Sequence, residues 1–326
     1  MASILIIGGG GMVGSKLAHR LASSPLTGSG DTVTLFDRAF PDTPPPAHDL
    51  VTGDVTDPGV MTSLLARRFD VIFHLASIVS GEAESNFHVG YDTNLLGFWT
   101  FLSRIEAEHT ASDGAYRPRV IFTSSIAVFG PPYPDRIGDE FPPAPQTSYG
   151  TQKAVSELLI TDLTRRGILD GLSIRLPTIC VRPGRANLAA SSFFSGIIRE
   201  PLNGEEARLP VPTDIRHWHA SPRSAAGFLH HAGTLDLDRA GPRRALNLPG
   251  VSCTVEEQIE ALRDVAGNDV ASLIRPDPDE TIMKIVAGWP RDFDPATARA
   301  LGFTAETTFR EIIEVYLEDD FTGPRP

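Results

Sequence analysis

An apolar run over residues 4–7 leads directly into Gly8-Gly9-Gly10-Gly11-Met12-Val13-Gly14, and a helical pattern over 13–21 follows. Few folds place so many glycines between a strand and a helix. Glycine takes φ > 0 at no steric cost and lets one backbone approach another closely. Gly8, Gly11 and Gly14 read G-x-x-G-x-x-G. In a βα unit such a turn can seat a dinucleotide pyrophosphate at the helix N-terminus, with Met12 and Val13 in its wall. A flexible turn is the plainer reading of glycines alone, so the context has to decide.

Strand-length apolar runs recur at 32–36, 71–75 and 120–123, with helical patterns at 60–66 and 94–108 between them. This alternation implies βαβ units and a parallel sheet with helices on both faces. Strands buried on both faces carry continuous apolar runs, as these do. Turn-rich segments at 41–46 and 111–118 separate the units. A helix is expected from Tyr149 to about Arg166, with Val155, Leu158, Leu159 and Leu163 at helical spacing, then a strand at 172–176. Residues 177–222 are weakly periodic and rich in Pro, Gly and Arg, which suits a lobe shaping a substrate pocket. Helical patterns return at 255–265 and 309–317, and 319–326 reads as a loose tail. The expected architecture is α/β: a Rossmann-type doubly wound parallel sheet over 1–176 and a smaller substrate lobe in 177–326, some segments of which return to the Rossmann core.

At 326 residues and 41% hydrophobic composition, the chain can bury such a core. A formal net charge of −12 argues against a nucleic-acid or anionic-membrane surface. No apolar run reaches the roughly 18 residues of a spanning helix. The N-terminal run lacks a basic flank and reads as a buried strand, not a signal peptide. Cys180 and Cys253 lie far apart without metal-ligand spacing and read as buried thiols in a reducing compartment. A cytoplasmic protein with no metal, membrane or nucleic-acid partner is expected. Of the histidines, His217-Trp218-His219 stands out.

Asp37 ends the second run about 20 residues beyond the last glycine, where an acid can accept hydrogen bonds from the adenine ribose. It would repel a 2′-phosphate, so NAD is expected rather than NADP; Arg38 beside it is the feature that keeps NADP open. Asp54 with Val55 can hold the adenine, or can form an ordinary turn before a helix cap. Leu75, Ala76 and Ser77 follow the third run, and small residues at a strand's carboxyl end leave room for the cofactor. Downstream, Ser125 closes the fourth run, and Tyr149 and Lys153 are spaced Y-x-x-x-K. Free tyrosine, with a pKa of about 10, is a poor base at neutral pH. A Lys⁺ one turn on lies on the same face and can stabilise the phenolate. Lys153 can also bond the nicotinamide ribose, and Ser125 can hold the substrate oxygen. Such acid–base catalysis contributes typically ~10²–10⁴-fold.

The Gly8/Gly11/Gly14 loop, Asp37, Asp54-Val55, His74-Leu75-Ala76, Asn94 with Gly97, Ser125, Tyr149, Lys153 and Arg175-Leu176-Pro177 together resemble the extended short-chain dehydrogenases/reductases, the branch of the NAD-dependent epimerases and dehydratases. The resemblance spans essentially the whole chain. It implies that Asn94 completes a catalytic tetrad and that Leu75, Ala76, Ser77 and Pro177 line the cofactor. By packing alone, Asn94 could equally be a helix N-cap.

Departures narrow the reaction. Nucleotide-sugar dehydratases of the branch tend to carry Thr-Asp-Glu where this chain has Ser125-Ile126-Ala127, and elimination of water then lacks its acid. Many nucleotide-sugar members show Arg-x-x-x-x-Val-x-Asp, but here the comparable stretch, Arg216 to Arg223, lacks the acid. Instead, Val181-Arg182-Pro183-Gly184-Arg185-Ala186-Asn187 can clamp a carboxylate, which arginine binds bidentately; a solvated loop or a phosphate clamp is also open. The run from Arg175 to Gly184 resembles sugar-acid-oxidising members of the branch. This implies NAD-linked oxidation of the C2 hydroxyl of a D-erythronate-like acid, with Thr178, Arg182 and Asn187 on the substrate side. The rival enzyme reading is an NAD-retaining nucleotide-sugar epimerase; a redox-sensing member without turnover is a further alternative. The resemblance also implies a homodimer through a four-helix contact. The apolar stripe of Leu95, Leu96, Phe98, Trp99 and Leu102 fits that contact, and equally fits core packing.

Overall fold

The computed structural model describes residues 1–28, 30–184 and 190–324. The chain divides into two compact units: residues 1–128, 145–176 and 226–246 form the first, and 129–144, 177–225 and 247–326 the second. The segment 129–144 therefore groups with the second unit although it precedes Tyr149.

The first unit is built on a seven-stranded sheet. Across it run Ala245–Asn247, Asp170–Leu176, Arg119–Ser125, Val71–His74, Ser3–Ile7, Thr32–Asp37 and Asp49–Thr52. The neighbours from Asp170–Leu176 to Asp49–Thr52 pair in parallel. Ile4, Leu5, Ile6 and Ile7 are fully buried, as an inner strand covered on both faces requires. Strand order reverses beside Ser3–Ile7, whose neighbours are Thr32–Asp37 and Val71–His74. Ligands of open parallel sheets bind at the carboxyl ends of strands at such a switch. The expected doubly wound parallel sheet is thus present. Two edge strands were not anticipated. Asp49–Thr52 is mostly exposed and has little apolar pattern to betray it, and Ala245–Asn247 has three residues.

Helix Met12–Ser23 lays Gly14, Leu17, Ala18 and Leu21 on the sheet. The pattern expected at 94–108 is realised differently. A π-helical stretch, Asp92–Gly97, precedes the α-helix Phe98–Ala111, so Asn94 sits inside a wide turn rather than at an N-cap. Phe98, Phe101, Leu102 and Ile105 face the core with Phe122 and Ile72.

The second unit contains a three-stranded sheet in the order Val251–Thr254, Arg216–Ala220, Thr178–Ile179. Its core gathers Phe194, Ile197, Ile198, Leu262, Phe309, Ile312 and Ile313. The weak periodicity at 177–222 concealed helix Ser192–Leu202, whose apolar face is Phe194, Ile197 and Ile198. Pro201 falls in its last turn, and the pattern is too short to read against the surrounding Gly and Pro. Helix Val255–Ala271 continues past the expected end through a break at Gly267 (φ 86°), and a Thr254/Glu257 capping box starts it. The tail is less loose than expected, since Phe321 packs on Tyr316 with ring centroids 6.1 Å apart. Among the described residues, no helix is long and apolar enough to cross a membrane.

Candidate active site

The glycine turn follows from close contact between backbones. Gly8 has φ 93°, and its N–H and that of Gly9 both donate to Phe36 O, at 2.8 and 3.1 Å. A Cβ on Gly14 would lie 2.2 Å from Gly8 O, and one on Gly8 would lie 2.7 Å from Ala76 N. Helix and strand therefore meet with no room for a side chain. Gly11 is the helix N-cap and supplies no side-chain cap. The first N–H groups, including those of Met12 and Val13, are left to a ligand or solvent, and with the helix dipole they favour an anion. The cradle fits a dinucleotide pyrophosphate.

Asp37 ends its strand half-buried. Its carboxylate accepts from Gly10 N–H at 2.9 Å and Arg38 N–H at 2.7 Å, one bond on each oxygen. A carboxylate offers about four lone-pair sites, so capacity remains for ribose hydroxyls. Arg38 is 3.5 Å from Asp54 Oδ2, which offers its guanidinium a carboxylate partner within this chain. Asp54 Oδ1 accepts from Thr56 N–H and the Thr56 hydroxyl, and these bonds hold its pKa below the usual range. Asp57 is the cap of helix Pro58–Leu65, and Val55 is buried.

At the other strand of the switch, Leu75 N–H and Ala76 N–H both donate to Ile7 O. Asn94 Oδ1 accepts from Ser77 Oγ and Ile78 N–H, each at 2.9 Å. His74 lies among Phe98, Phe101 and Phe122. Burial first, then the Lys153 charge, pushes its pKa down to about 3, so it is neutral and no base at ordinary pH.

Helix Ser148–Arg165 brings in Tyr149 and Lys153. Thr147 caps it by accepting from Gly150 N–H. A Cβ on Gly150 would lie 2.1 Å from Ala127 O, so the helix start is pressed against the turn that follows Ser125. Ser125 Oγ accepts from Ala127 N–H at 3.1 Å. Lys153 is buried; its Nζ donates to Thr123 O at 2.9 Å and lies 5.5 Å from the Tyr149 ring centroid. Burial lowers its pKa to about 7, opposed by attraction to Glu157. Glu157, one turn further, forms a buried bidentate pair with Arg175, at 2.9 and 2.7 Å, and accepts from Ser124 Oγ. The structure thus gathers Ser125, Tyr149, Lys153, Asn94, Ser77 and the glycine turn into one unit. Glu157 and Gln152 (which accepts from Asn94) were missed by sequence reading, because their partners are far away in the chain.

The substrate-side candidates lie in the second unit, with the buried Pro177. The Thr178 hydroxyl is 2.7 Å from His217 Nε2, and His217 Nδ1 is 2.9 Å from Pro290 O. Burial holds His217 neutral, with its pKa near 4. Nδ1 therefore donates to the carbonyl, and Nε2 accepts from Thr178. Arg182 Nε donates to Ile179 O and its NH2 to Ser191 Oγ, which braces it within its own loop. Asn187, Arg185 and Ala186 lie outside the described residues. His217, Trp218 and His219 are all buried. Cys180 and Cys253 are buried free thiols, both pushed up to about 12 by burial.

Residues 4–220 match the NAD dependent epimerase/dehydratase family. The chain belongs to this family. It is accordingly an NAD-dependent enzyme. A relative from Cupriavidus necator named D-erythronate dehydrogenase is 43% identical over 97% of this chain and 98% of its own length. One of the same name from Haemophilus influenzae is 39% identical over 97% and 99%. A crystal structure described as the nucleoside-diphosphate-sugar epimerase from Agrobacterium tumefaciens superposes with a TM-score of 0.92 at 54% identity, covering 98% of this chain and 94% of that one.

Proposed function

We propose that this enzyme is a dehydrogenase that oxidises the C2 hydroxyl of a small sugar acid of the D-erythronate type to the 2-oxo acid. The observation that carries the chemistry is the buried Lys153 ammonium 5.5 Å from the Tyr149 ring centroid, on the helix that also abuts the turn after Ser125. The substrate class is supported by the two near-full-length relatives named D-erythronate dehydrogenase.

The glycine turn and Asp37 would hold NAD, which when bound would supply the hydride acceptor. Tyr149 takes the hydroxyl proton at its phenolic oxygen. Lys153 lowers the cost of the phenolate by its charge, which burial strengthens because the local dielectric is low. Ser125 holds the substrate oxygen, and Asn94 braces the Ser77–Ile78 turn. Thr178, oriented by His217, and Arg182 with Asn187 take the substrate's hydroxyls and carboxylate. The test is NADH formation from a panel of four- to six-carbon sugar acids, with UDP-sugars in parallel. NADH from D-erythronate, reduced by ~10²–10⁴-fold in Tyr149→Phe, is expected.

The likeness to the Agrobacterium tumefaciens nucleoside-diphosphate-sugar epimerase structure favours a second reading, an NAD-retaining nucleotide-sugar epimerase. UDP-sugar interconversion without net NADH, and silence on every acid, would establish it instead. Leu96 (54% exposed), Trp99 (47%) and Leu158 (69%) are large apolar side chains open to solvent, which supports the four-helix homodimer. Leu158→Glu with Trp99→Glu should yield a monomer in sedimentation; an unchanged mass would refute that contact.

A further inference from the structure

We infer that Gln152 is a positioning residue of this site, acting through Asn94 on the Ser77–Ile78 turn; this rests on the dehydrogenase reading only for its turnover arm. The argument is one of donors and acceptors. Asn94 meets both polar groups of Ile78: the N–H lies 2.9 Å from Oδ1 and the carbonyl oxygen 3.2 Å from Nδ2. A backbone N–H only donates and a carbonyl only accepts, so the Asn94 amide has one possible orientation. Its second Nδ2–H then points at Gln152, 2.8 Å from Oε1. That position must hold an acceptor, which orients the Gln152 amide in turn.

The remaining Gln152 group, Nε2, is buried and has no hydrogen-bond partner among the described residues. It rests against Gly90, where a Cβ would come within 2.9 Å. Gln152 is fully buried and Asn94 is 4% exposed, so water does not substitute readily at either end. A buried amide left half-satisfied is costly, and a structural filler would not need one. A glutamate would accept equally well and leave no orphan donor. It would also place a second carboxylate one residue from Lys153, whose ammonium already feels Glu157. A neutral acceptor of this length satisfies Asn94 without that charge. The relay thus runs from the helix of Tyr149 and Lys153, through Gln152 and Asn94, to the backbone of the strand-end turn.

The test compares Gln152→Met, Gln152→Glu, Asn94→Leu and the double variant Asn94→Leu/Gln152→Met with the parent. NAD affinity is read by calorimetry, which needs no substrate, and kcat and KM come from D-erythronate oxidation across pH. Gln152→Met should weaken NAD at least fivefold and lower kcat at least tenfold, with KM for the acid within threefold. The double variant should be no worse than Asn94→Leu, because residues acting in series are not additive. Gln152→Glu should recover NAD affinity to within threefold of the parent but move the pH profile. If Gln152→Met does not fold, Gly90→Ala, whose Cβ would press on Gln152 Nε2 at 2.9 Å and on Ala83 at 3.2 Å, should weaken NAD in the same direction. NAD affinity within twofold of the parent in the folded variant, or losses that add fully to those of Asn94→Leu, would overturn the inference. Absence of any sugar-acid oxidation in the parent would sink the dehydrogenase reading while leaving the NAD comparison decisive for Gln152.

Discussion

Lys153→Met should cost the enzyme its turnover and yet stabilise the fold at neutral pH. In the unfolded chain the lysine titrates near 10.5; buried in the native protein, it titrates near 7. Between those values the unfolded state binds the proton more tightly, so stability rises with pH, and the deficit is greatest at and below pH 7. At pH 7 it amounts to about 4 kcal/mol, and by pH 10 to less than about 1 kcal/mol. Methionine is of similar length and does not ionise. It forfeits the bond to Thr123 O, worth about 1 kcal/mol, with some further cost for the stranded carbonyl. The net expectation is a variant about 2 kcal/mol more stable at pH 7 and slightly less stable at pH 10. Urea unfolding without added NAD, at several pH values from 7 to 10, reads this directly. The decisive quantity is the slope: the parent should gain about 3 kcal/mol over that range relative to the variant. Parallel pH profiles would refute the account of Lys153 as a desolvated, catalytically retained charge.

Three further outcomes are expected. His74 and His217 are held neutral by burial, near 3 and 4, against 6.5 when unfolded. The unfolded chain then binds protons the native state cannot, so each of these two histidines should cost its unit about 2 kcal/mol between pH 8 and pH 5, with Lys153 and His219 adding in the same direction, measurable as a falling urea midpoint. Gly14→Ala drives a Cβ to 2.2 Å from Gly8 O, whereas Gly11→Ala meets only an ordinary contact at 3.5 Å. The first should destabilise the NAD-free protein by several times more than the second, whose cost is about 1 kcal/mol or less; equal thermal shifts would contradict this. Arg175→Met should cost about 3–5 kcal/mol by stranding Glu157, and Arg175→Met with Glu157→Leu should recover most of it, as denaturant midpoints would show.

The glycine turn, the continuous apolar runs and the Tyr149–Lys153 spacing are local patterns, and they were legible because a backbone's conformation and a helix face depend on neighbours in the chain. They carried the sheet, the cofactor cradle and the candidate catalytic helix. The edge strand Asp49–Thr52 was not legible, because an exposed strand carries little hydrophobic pattern. Helix Ser192–Leu202 was hidden by the Gly and Pro around a short stripe. Tertiary structure alone decided which polar groups face one another. Arg175 binds Glu157, Gln152 accepts from Asn94, and His217 accepts a hydrogen bond from the Thr178 hydroxyl. Each pair joins residues far apart in sequence through a directional bond, and its strength comes from burial that no local pattern records. The residue types at those positions were visible in the chain, but their partners, and hence their charge states, exist only in the folded molecule.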